Sequence, residues 1–218
     1  MKRTPEQSLT FFNRKTELRG DGRELYKTPV GLIRKIVADL LDFDKTLLNF
    51  DWVDPCAGDG RWESVISEFG IPCKSYDISP LSENVSKRDF LQKEPLEGNI
   101  FYIGNPPFSI ISDFVYESLS QGRSCYFLGG SQILTGGLSK YARMIHRFEG
   151  FEGNQTDRRS KAIFEDTLGN DILVWCCGGL FDTERKMGLR RHKSQKENSF
   201  RTSIKCWCED SKRIRVIK

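Results

Sequence analysis

The sequence has no apolar run close to the roughly 20 residues that a membrane-spanning helix requires. Residues 1–6 are followed by no apolar stretch of signal-peptide length, so the expected location is the cytoplasm, or the cytoplasm or nucleoid of a host cell. No internal repeat or low-complexity tract is visible either. With 218 residues, 38% of them hydrophobic and 29% charged, the chain predicts a single soluble domain without a membrane partner.

Disulfide and metal-binding patterns are also missing. The seven cysteines are odd in number and irregular in spacing, and no two of them form a Cys-x-x-Cys pair. Only His146 and His192 could add imidazole ligands. A disulfide framework is therefore not expected, and no metal site is predicted.

Positive charge is concentrated towards the carboxyl terminus. The net charge is +4, but residues 178–218 carry 12 Lys/Arg against 5 Asp/Glu, which leaves 22 against 25 in the rest of the chain. A basic segment on a slightly acidic body is typical of a surface that binds phosphate groups, although solvated charge would look the same. Nucleic acid is therefore a candidate partner.

The predicted organisation is a polar arm at 1–24 followed by a single domain at 25–218. Within that domain, the glycine-rich and charged interval 129–170, which includes Arg143 and Arg147, is predicted to be a lid or substrate-contacting excursion. A basic connection is predicted at 178–200. Apolar patterns predict helices at 30–41, 61–69 and 109–120, and strands at 50–53, 73–76, 101–103, 124–128, 171–177 and 201–208.

The first predicted strand ends in a turn built around two glycines. Its sequence is Asp54-Pro55-Cys56-Ala57-Gly58-Asp59-Gly60, and a Gly-x-Gly turn lets a ligand approach the backbone closely. A dinucleotide fingerprint would need a small residue three positions further on, where this chain has Glu63. The turn therefore argues against a pyrophosphate, and Asp54 suits a ligand with a cationic group instead.

Two further acids follow, Asp77 after the strand predicted at 73–76 and Asp89 after a short polar segment. Asp77 lies 23 residues after Asp54, close to the roughly 20 residues at which an acid accepts hydrogen bonds from ribose hydroxyls in this topology. Asp89 and Phe90 come next, and they offer an acceptor for an adenine amino group with a ring to cover it. Each acid alone is more often a turn or cap residue, but three in succession indicate a nucleoside-binding edge.

A stiff elbow follows the strand predicted at 101–103. In Asn105-Pro106-Pro107-Phe108 the prolines forbid both helix and ladder pairing, and each pushes the preceding residue into an extended conformation. The Asn105 side-chain oxygen and the Pro106 carbonyl can then accept hydrogen bonds from an amino group, while Phe108 stacks on the planar ring that carries it. An ordinary turn after a strand is the alternative.

Upstream of these units, Tyr26-Lys27-Thr28-Pro29 precedes the helix predicted at 30–41. Thr28 is predicted as the N-cap of this helix and Pro29 as its first residue. The turn would present a hydroxyl and free N–H groups to a ligand above it.

The order and spacing of these motifs resemble the S-adenosylmethionine-dependent amino-methyltransferases that modify the exocyclic N6 of adenine in nucleic acid. The resemblance covers residues 25–108, and beyond residue 108 only a strand pattern matches. It is carried by Tyr26-Lys27-Thr28-Pro29, Asp54-Pro55-Cys56-Ala57-Gly58-Asp59-Gly60, Asp77, Asp89-Phe90 and Asn105-Pro106-Pro107-Phe108.

The resemblance implies the class I methyltransferase fold, an α/β, Rossmann-like, seven-stranded and mostly parallel sheet with a C-terminal antiparallel hairpin, here 171–177 with 201–208. It implies S-adenosyl-L-methionine as cofactor, bound by Tyr26, Thr28, Asp54, Pro55, Gly58, Gly60, Asp77, Asp89 and Phe90. The residues expected to hold the amino group of a flipped base are Asn105, Pro106, Pro107 and Phe108.

The resemblance favours adenine N6 in DNA as the target. RNA, at adenine N6 or guanine N2, is the runner-up, and a protein glutamine is a more distant alternative. A binding subunit that keeps the fold without activity is disfavoured by the intact Asn105. Target recognition is expected from 129–170, from 178–200 or from a partner subunit.

Overall fold

The computed structural model describes residues 26–92, 94–130, 133, 138, 142–148, 162–165, 171–174, 176–181 and 214–217. Its helices are α1 (Val30–Phe43), α2 (Arg61–Glu68) and α3 (Ile111–Ser120), with 3-10 turns at Lys45–Asn49 and Phe108–Ile110. Its strands are β1 (Asp51–Asp54), β2 (Cys73–Asp77), β3 (Ser86–Lys87), β4 (Ile100–Gly104), β5 (Ser124–Gly129), β6 (Ala142–Phe148), β7 (Ala162–Glu165), β8 (Asp171–Val174), β9 (Cys177–Phe181) and β10 (Ile214–Ile217). None of the described helices is long and apolar enough to cross a membrane.

Eight of these strands form one sheet in the order β10-β6-β9-β5-β4-β1-β2-β3. Strands β1 to β5 are parallel to one another, whereas β9 runs antiparallel to both β5 and β6, and β10 is parallel to β6. Strands β7 and β8 form a separate antiparallel pair. The strand order reverses between β1 and β4, so the carboxyl ends of these two strands flank the switch point at which open α/β sheets bind ligands.

Helices cover both faces of the sheet because the side chains of the central strands alternate in direction. In β4, Phe101 and Ile103 pack in the cluster that contains the apolar sides of α1 and α2, while Ile100 and Tyr102 pack in the cluster around α3. All five residues of β4 are buried, as expected of a central strand in a parallel sheet. The switch point is therefore held by well-packed elements.

A series of buried hydrogen bonds holds α1 against the other half of the sheet. In β6, His146 is fully buried, with its Nδ1 2.9 Å from the Tyr126 hydroxyl and its Nε2 2.8 Å from Asp39 Oδ2. Burial lowers the pKa of His146 despite the neighbouring Asp39, so the neutral ring accepts from Tyr126 and donates to the carboxylate. Arg215 of β10 donates to Asp39 Oδ1 at 2.8 Å. These bonds hold the helix that follows the cavity-lining segment 26–28 described below.

The α/β class and the mostly parallel sheet are confirmed, but the sheet has eight strands among the described residues instead of seven. The single strand predicted at 171–177 is wrong, because its first part is β8, paired with β7, and Cys177 begins β9 in the main sheet. The antiparallel pairs of the main sheet are therefore β9 with β5 and β9 with β6, and the predicted partner at 201–208 lies outside the described residues. Patterning missed β9 because Gly178 and Gly179 have low strand propensity. A Cβ at Gly178 would collide with the hydroxyl of Tyr126.

The start of α1 also differs from the prediction. Pro29 occupies the N-cap position, Val30 is the first helical residue, and Thr28 lies one residue further upstream with no hydrogen-bond partner for its hydroxyl among the described residues. The helix predicted at 109–120 begins as the 3-10 turn at Phe108, and α3 follows from Ile111. The Thr28 hydroxyl is therefore not used in capping.

The predicted excursion at 129–170 is interrupted by regular structure. Arg143 and Arg147 lie on β6 within the main sheet, and β7 falls in the same interval. The predicted arm at 1–24 and the part of the basic connection after Phe181 lie outside the described residues.

Candidate functional site

A cavity of about 300 Å³ opens at the carboxyl ends of β1, β2 and β4, beside the switch point. Its volume is at the lower end of the range for small-molecule pockets. The residues around it come from the segment before α1, the three turns after these strands and the start of α3. They are Tyr26, Lys27, Thr28, Pro55, Cys56, Ala57, Gly58, Asp59, Arg61, Trp62, Asp77, Ile78, Leu81, Arg88, Asp89, Phe90, Leu91, Gln92, Asn105, Pro107, Ile110 and Phe114.

The structure brings most of the predicted site residues to this cavity. Nine of the thirteen line it, namely Tyr26, Thr28, Pro55, Gly58, Asp77, Asp89, Phe90, Asn105 and Pro107. The other four lie next to the lining residues in the chain without forming the wall themselves, and they are Asp54, Gly60, Pro106 and Phe108.

The loop after β1 is bonded to the end of β2. Gly58 adopts a positive φ of 57° and donates its N–H to Asp77 Oδ2 at 2.9 Å, while the N–H of Ala57 bonds to the carbonyl of Tyr76 at 2.9 Å. The second oxygen of Asp77 accepts from the N–H of Ser79 at 2.8 Å. Asp77 is thereby fixed in the cavity wall, with its carboxylate oriented by two backbone donors.

Asp54 lies behind this loop and not in the cavity wall. It is fully buried, and its Oδ1 accepts from the N–H of Cys56 at 3.0 Å. Burial raises the pKa of Asp54 to about 8, so the carboxyl is mostly protonated at neutral pH. A Cβ at Gly104 would collide with this carboxyl group, which explains why glycine ends β4. Asp54 is therefore not placed to contact a ligand cation directly. Its carboxyl group instead stabilises the turn after β1.

Two hydrogen bonds dock the segment before α1 onto the site. Asn105 donates from Nδ2 to the carbonyl of Tyr26 at 2.8 Å, and Arg61 donates from Nη1 to the carbonyl of Thr28 at 3.1 Å. Arg61 also forms an ion pair with Asp59 at 2.8 Å. Burial opposes ionisation of Asp59, but the bonds from Arg61 outweigh it and hold the pKa of Asp59 below its ordinary value. The segment thus closes one side of the cavity.

The first bond also fixes the orientation of the Asn105 amide. Because Nδ2 is held by the Tyr26 carbonyl, the other end of the amide is an acceptor, and Oδ1 is buried without a hydrogen-bond partner among the described residues. Phe108 follows the two prolines at the start of the 3-10 turn, with its ring centroid 5.8 Å from that of Tyr26. The elbow therefore offers one oriented acceptor beside an aromatic pair.

Unpartnered polar atoms are concentrated at this site. Seven buried side-chain nitrogen or oxygen atoms have no hydrogen-bond partner among the described residues, and four of them belong to the cavity wall or to Asp54 directly behind it. An unmade bond of this kind costs about 1–3 kcal/mol. The grouping of the three atoms of the cavity wall indicates that a polar ligand completes their hydrogen bonding, whereas Asp54 Oδ2 lies behind the wall. The four atoms are Thr28 Oγ1, Asp54 Oδ2, Trp62 Nε1 and Asn105 Oδ1.

Another part of the cavity wall combines one acid with an apolar surface. Asp89 accepts from the N–H of Leu91 at 3.0 Å through Oδ1. Phe90 is only 7% exposed and stacks on Phe114 with ring centroids 5.1 Å apart. A flat ring with an amino substituent fits such a combination.

Sequence reasoning missed Arg61, Trp62 and Arg88, which all line the cavity. The position of Arg61 and Trp62 directly after the Gly-x-Gly turn was a usable signal, because the first turn of that helix faces the ligand in this topology. Arg88 had no such signal, and its guanidinium lies 5.7 Å from the ring centroid of Tyr76. Among the described side chains, no group of three or more His, Cys, Asp or Glu is arranged to hold a metal ion.

Comparisons with known proteins give only distant structural likenesses. No protein-family model matches the chain, and no curated protein matches it. The chain resembles the solved structure of Thermoplasma acidophilum 1320, with 12% identity, a TM-score of 0.44, and coverage of 66% of this chain and 85% of that one. It also resembles the 23S rRNA methyltransferase ErmE (12% identity, TM-score 0.43, 72% of this chain and 70% of that one) and the CcbJ methyltransferase from Streptomyces caelestis (10% identity, TM-score 0.36, 72% and 75%). All three TM-scores are below 0.5, so the chemistry has to follow from the site itself.

Proposed function

We propose that the protein is a methyltransferase that uses S-adenosyl-L-methionine and acts on the exocyclic N6 amine of adenine in DNA. The observation that carries this proposal is the Asn105 amide, whose Nδ2 is fixed 2.8 Å from the Tyr26 carbonyl and whose Oδ1 is buried without a partner among the described residues. An acceptor held in this way requires a donor from a ligand. An amino group on a planar ring supplies that donor.

The elbow would activate the amine through two acceptors. Asn105 Oδ1 and the Pro106 carbonyl each accept from one N–H of the amino group, which draws the nitrogen towards tetrahedral geometry and localises its lone pair. When bound, S-adenosyl-L-methionine supplies the methyl group, carried on a positively charged sulfur. Positioning and electrostatics then provide most of the rate enhancement, and no histidine or cysteine nucleophile is needed.

The remaining lining residues fit the cofactor without a phosphate-binding device. The Gly58 turn allows close approach of the ligand to the backbone. Asp77 lines the cavity with its carboxylate oriented by two backbone N–H groups, and a carboxylate suits ribose hydroxyls. Asp89, beside the apolar wall formed by Phe90 and Phe114, suits adenine and its amino group.

Nucleic acid is the proposed substrate class because residues 178–218 are strongly basic and because Phe108, which is half-buried beside Asn105, can stack on a flipped base. DNA is preferred over RNA on the motif resemblance alone. Target recognition is assigned to residues outside the described site or to a partner subunit.

The test is transfer of labelled methyl from S-adenosyl-L-methionine to single-stranded DNA, duplex DNA, total RNA and protein, followed by digestion and identification of the product. N6-methyladenine from DNA is expected. Label chiefly in RNA would promote the runner-up substrate, and N2-methylguanine would keep the mechanism but change the base. Label in protein would overturn the nucleic-acid proposal.

Asn105→Ala should abolish turnover with a far smaller loss of cofactor affinity, because its bond to the amine matters most as the nitrogen reaches the transition state and Arg61 still docks Thr28. Asn99→Ala is the matched control, since Asn99 also donates to a backbone carbonyl, that of Asn49 at 3.1 Å, but is exposed and away from the cavity. Phe108→Tyr should stay active, and Phe108→Ala should lose about 1–3 kcal/mol. Full turnover in Asn105→Ala contradicts the mechanism.

A further inference from the structure

The guanidinium group of Arg61 is held in one orientation by Asp59, which lies between the two glycines of the turn after β1. Its Nε is 3.0 Å from Asp59 Oδ1 and its Nη2 is 2.8 Å from Asp59 Oδ2, so the two side chains form a forked ion pair. Only 17% of the Arg61 side chain and 28% of the Asp59 side chain are exposed. A forked pair fixes the plane of the guanidinium group and therefore the direction of its remaining nitrogen.

This remaining nitrogen bonds to the main chain of the segment before α1. Arg61 Nη1 donates to the carbonyl of Thr28 at 3.1 Å, and two residues earlier the carbonyl of Tyr26 accepts from Asn105 Nδ2 at 2.8 Å. Only Lys27 lies between the two carbonyl groups, and Pro29 restricts Thr28 to an extended conformation. A shift of the Thr28 carbonyl therefore also moves the carbonyl that holds Asn105.

The orientation of the Asn105 amide depends on this contact. The terminal torsion of an asparagine side chain has two broad minima of similar energy, which exchange the positions of the oxygen and the NH2 group. The bond from Nδ2 to the Tyr26 carbonyl selects the minimum in which Oδ1 is left as an acceptor. Without that bond, the NH2 group could occupy the acceptor position, and it would repel the amine that the elbow is proposed to bind.

We infer that Arg61 is a positioning residue for methyl transfer, which acts through the segment 26–28 and keeps Asn105 Oδ1 directed at the target amine. The inference rests on the proposed function and makes the elbow after β4 depend on the turn after β1. Arg61 needs no contact with the target base for this role. Its effect passes through two backbone carbonyls, those of Thr28 and Tyr26.

The first measurement is hydrogen exchange of the Asn105 side-chain amide, followed by NMR in the ligand-free protein. Arg61→Ala should speed this exchange about ten-fold, because the hydrogen bond from a charged donor that holds the segment is lost. Asp59→Asn, which removes the ion pair at nearly constant shape, should act in the same direction with a smaller effect. It replaces Arg61→Ala if that variant fails to fold.

Arg34→Ala is the matched control. Arg34 of α1 also forms a forked ion pair, with Glu68 of α2, through contacts of 2.6 and 2.7 Å. Neither residue lines the cavity, and their side chains are 49% and 43% exposed. This variant should leave both the exchange of the Asn105 amide and turnover unchanged.

The second measurement is kcat at saturating S-adenosyl-L-methionine and saturating DNA, where weaker binding of either ligand no longer contributes. Arg61→Ala should lower kcat about ten-fold, in proportion to its effect on the Asn105 amide. Unchanged amide exchange in both Arg61→Ala and Asp59→Asn overturns the inference and leaves the proposed function intact. Faster exchange with unchanged kcat, or equal effects in Arg34→Ala, also overturns it. If the wild-type protein transfers no methyl group, the proposed function fails, and the exchange data still decide whether Arg61 holds the Asn105 amide.

Discussion

Replacement of Asp77 by asparagine should destabilise the loop after β1 and also weaken cofactor binding. The two effects can be measured separately. The wild-type carboxylate accepts from the N–H of Gly58 at 2.9 Å and from the N–H of Ser79 at 2.8 Å, and it is 4% exposed. Asparagine keeps one acceptor oxygen, but its NH2 group would face one of these two N–H donors. One of the two loop bonds is therefore lost, and the other becomes a bond to a neutral acceptor.

The magnitudes follow from the number of bonds to a charged group. Each such bond contributes about 1.5–3 kcal/mol, so Asp77→Asn should lower the free energy of unfolding by about that much. Loss of a ribose hydroxyl bond to the carboxylate should raise the cofactor Kd roughly ten- to a hundred-fold. Alanine would remove both loop bonds, about 3–6 kcal/mol of a typical total of 5–15 kcal/mol, and would confuse unfolding with lost affinity.

The assay pairs chemical denaturation with calorimetric titration of S-adenosyl-L-methionine. Asp44→Asn is the control, because Asp44 also accepts from a turn N–H, that of Thr46 at 3.0 Å, but lies at the far end of α1. It should lose stability without a change in Kd. If Asp77→Asn is destabilised as expected and still binds with wild-type affinity, Asp77 only holds the loop, and its assignment to the ribose is refuted.

Two further predictions concern charge. Because burial raises the pKa of Asp54 from 3.8 to about 8, the folded protein keeps a proton that the unfolded chain releases, and this contribution to stability falls as the pH rises from about 4 through 8. Asp54→Asn should flatten that decline in denaturation experiments at pH 5 and pH 8.5, and an unchanged slope would mean that Asp54 is ionised in the fold. Neutralising Arg190, Arg191 and Lys193 together, outside the described residues, should weaken DNA binding and reduce its salt slope by up to about 0.9 per lost phosphate contact, with cofactor affinity unchanged. Identical slopes would show that these charges are only solvated.

The residues whose position at the cavity could be predicted from the sequence are governed by short-range rules. Two consecutive prolines must end β4, and a strand end in a parallel sheet leads to the ligand-binding edge, so Asn105 could be placed without knowledge of its neighbours. The rule that strand ends of a parallel sheet meet at the ligand-binding edge also predicted that Gly58, Asp77 and Asp89 lie close together, and all three line the cavity. In each case the local sequence and the topology were sufficient.

The parts that were missed depend on contacts between distant positions. The bond that orients Asn105 comes from Tyr26, 79 residues earlier, and the bond that docks Thr28 comes from Arg61, 33 residues later. Neither bond involves the side chain of its acceptor residue, because Tyr26 and Thr28 accept through backbone carbonyls. Residue types therefore carried no information about them. Strand β9 was missed for a related reason. Position 178 requires glycine because a Cβ there would collide with the side chain of Tyr126, which is distant in the sequence.

Asp54 lies where its sequence position predicts, but its burial changes the role that its carboxyl group can have. An acid at the end of a buried strand, next to a glycine turn, suggests a negative charge for a ligand, and this expectation assumes access to solvent. In the structure Cys56 covers one oxygen of the carboxyl group and Gly104 allows the β4 backbone to approach it, so burial favours the neutral form. The acids that line the cavity are instead Asp77 and Asp89, which lie one and two turns further along the chain. Position along the chain indicated where acids gather, but only the packing around each carboxyl group determines which of them can meet a ligand as an anion.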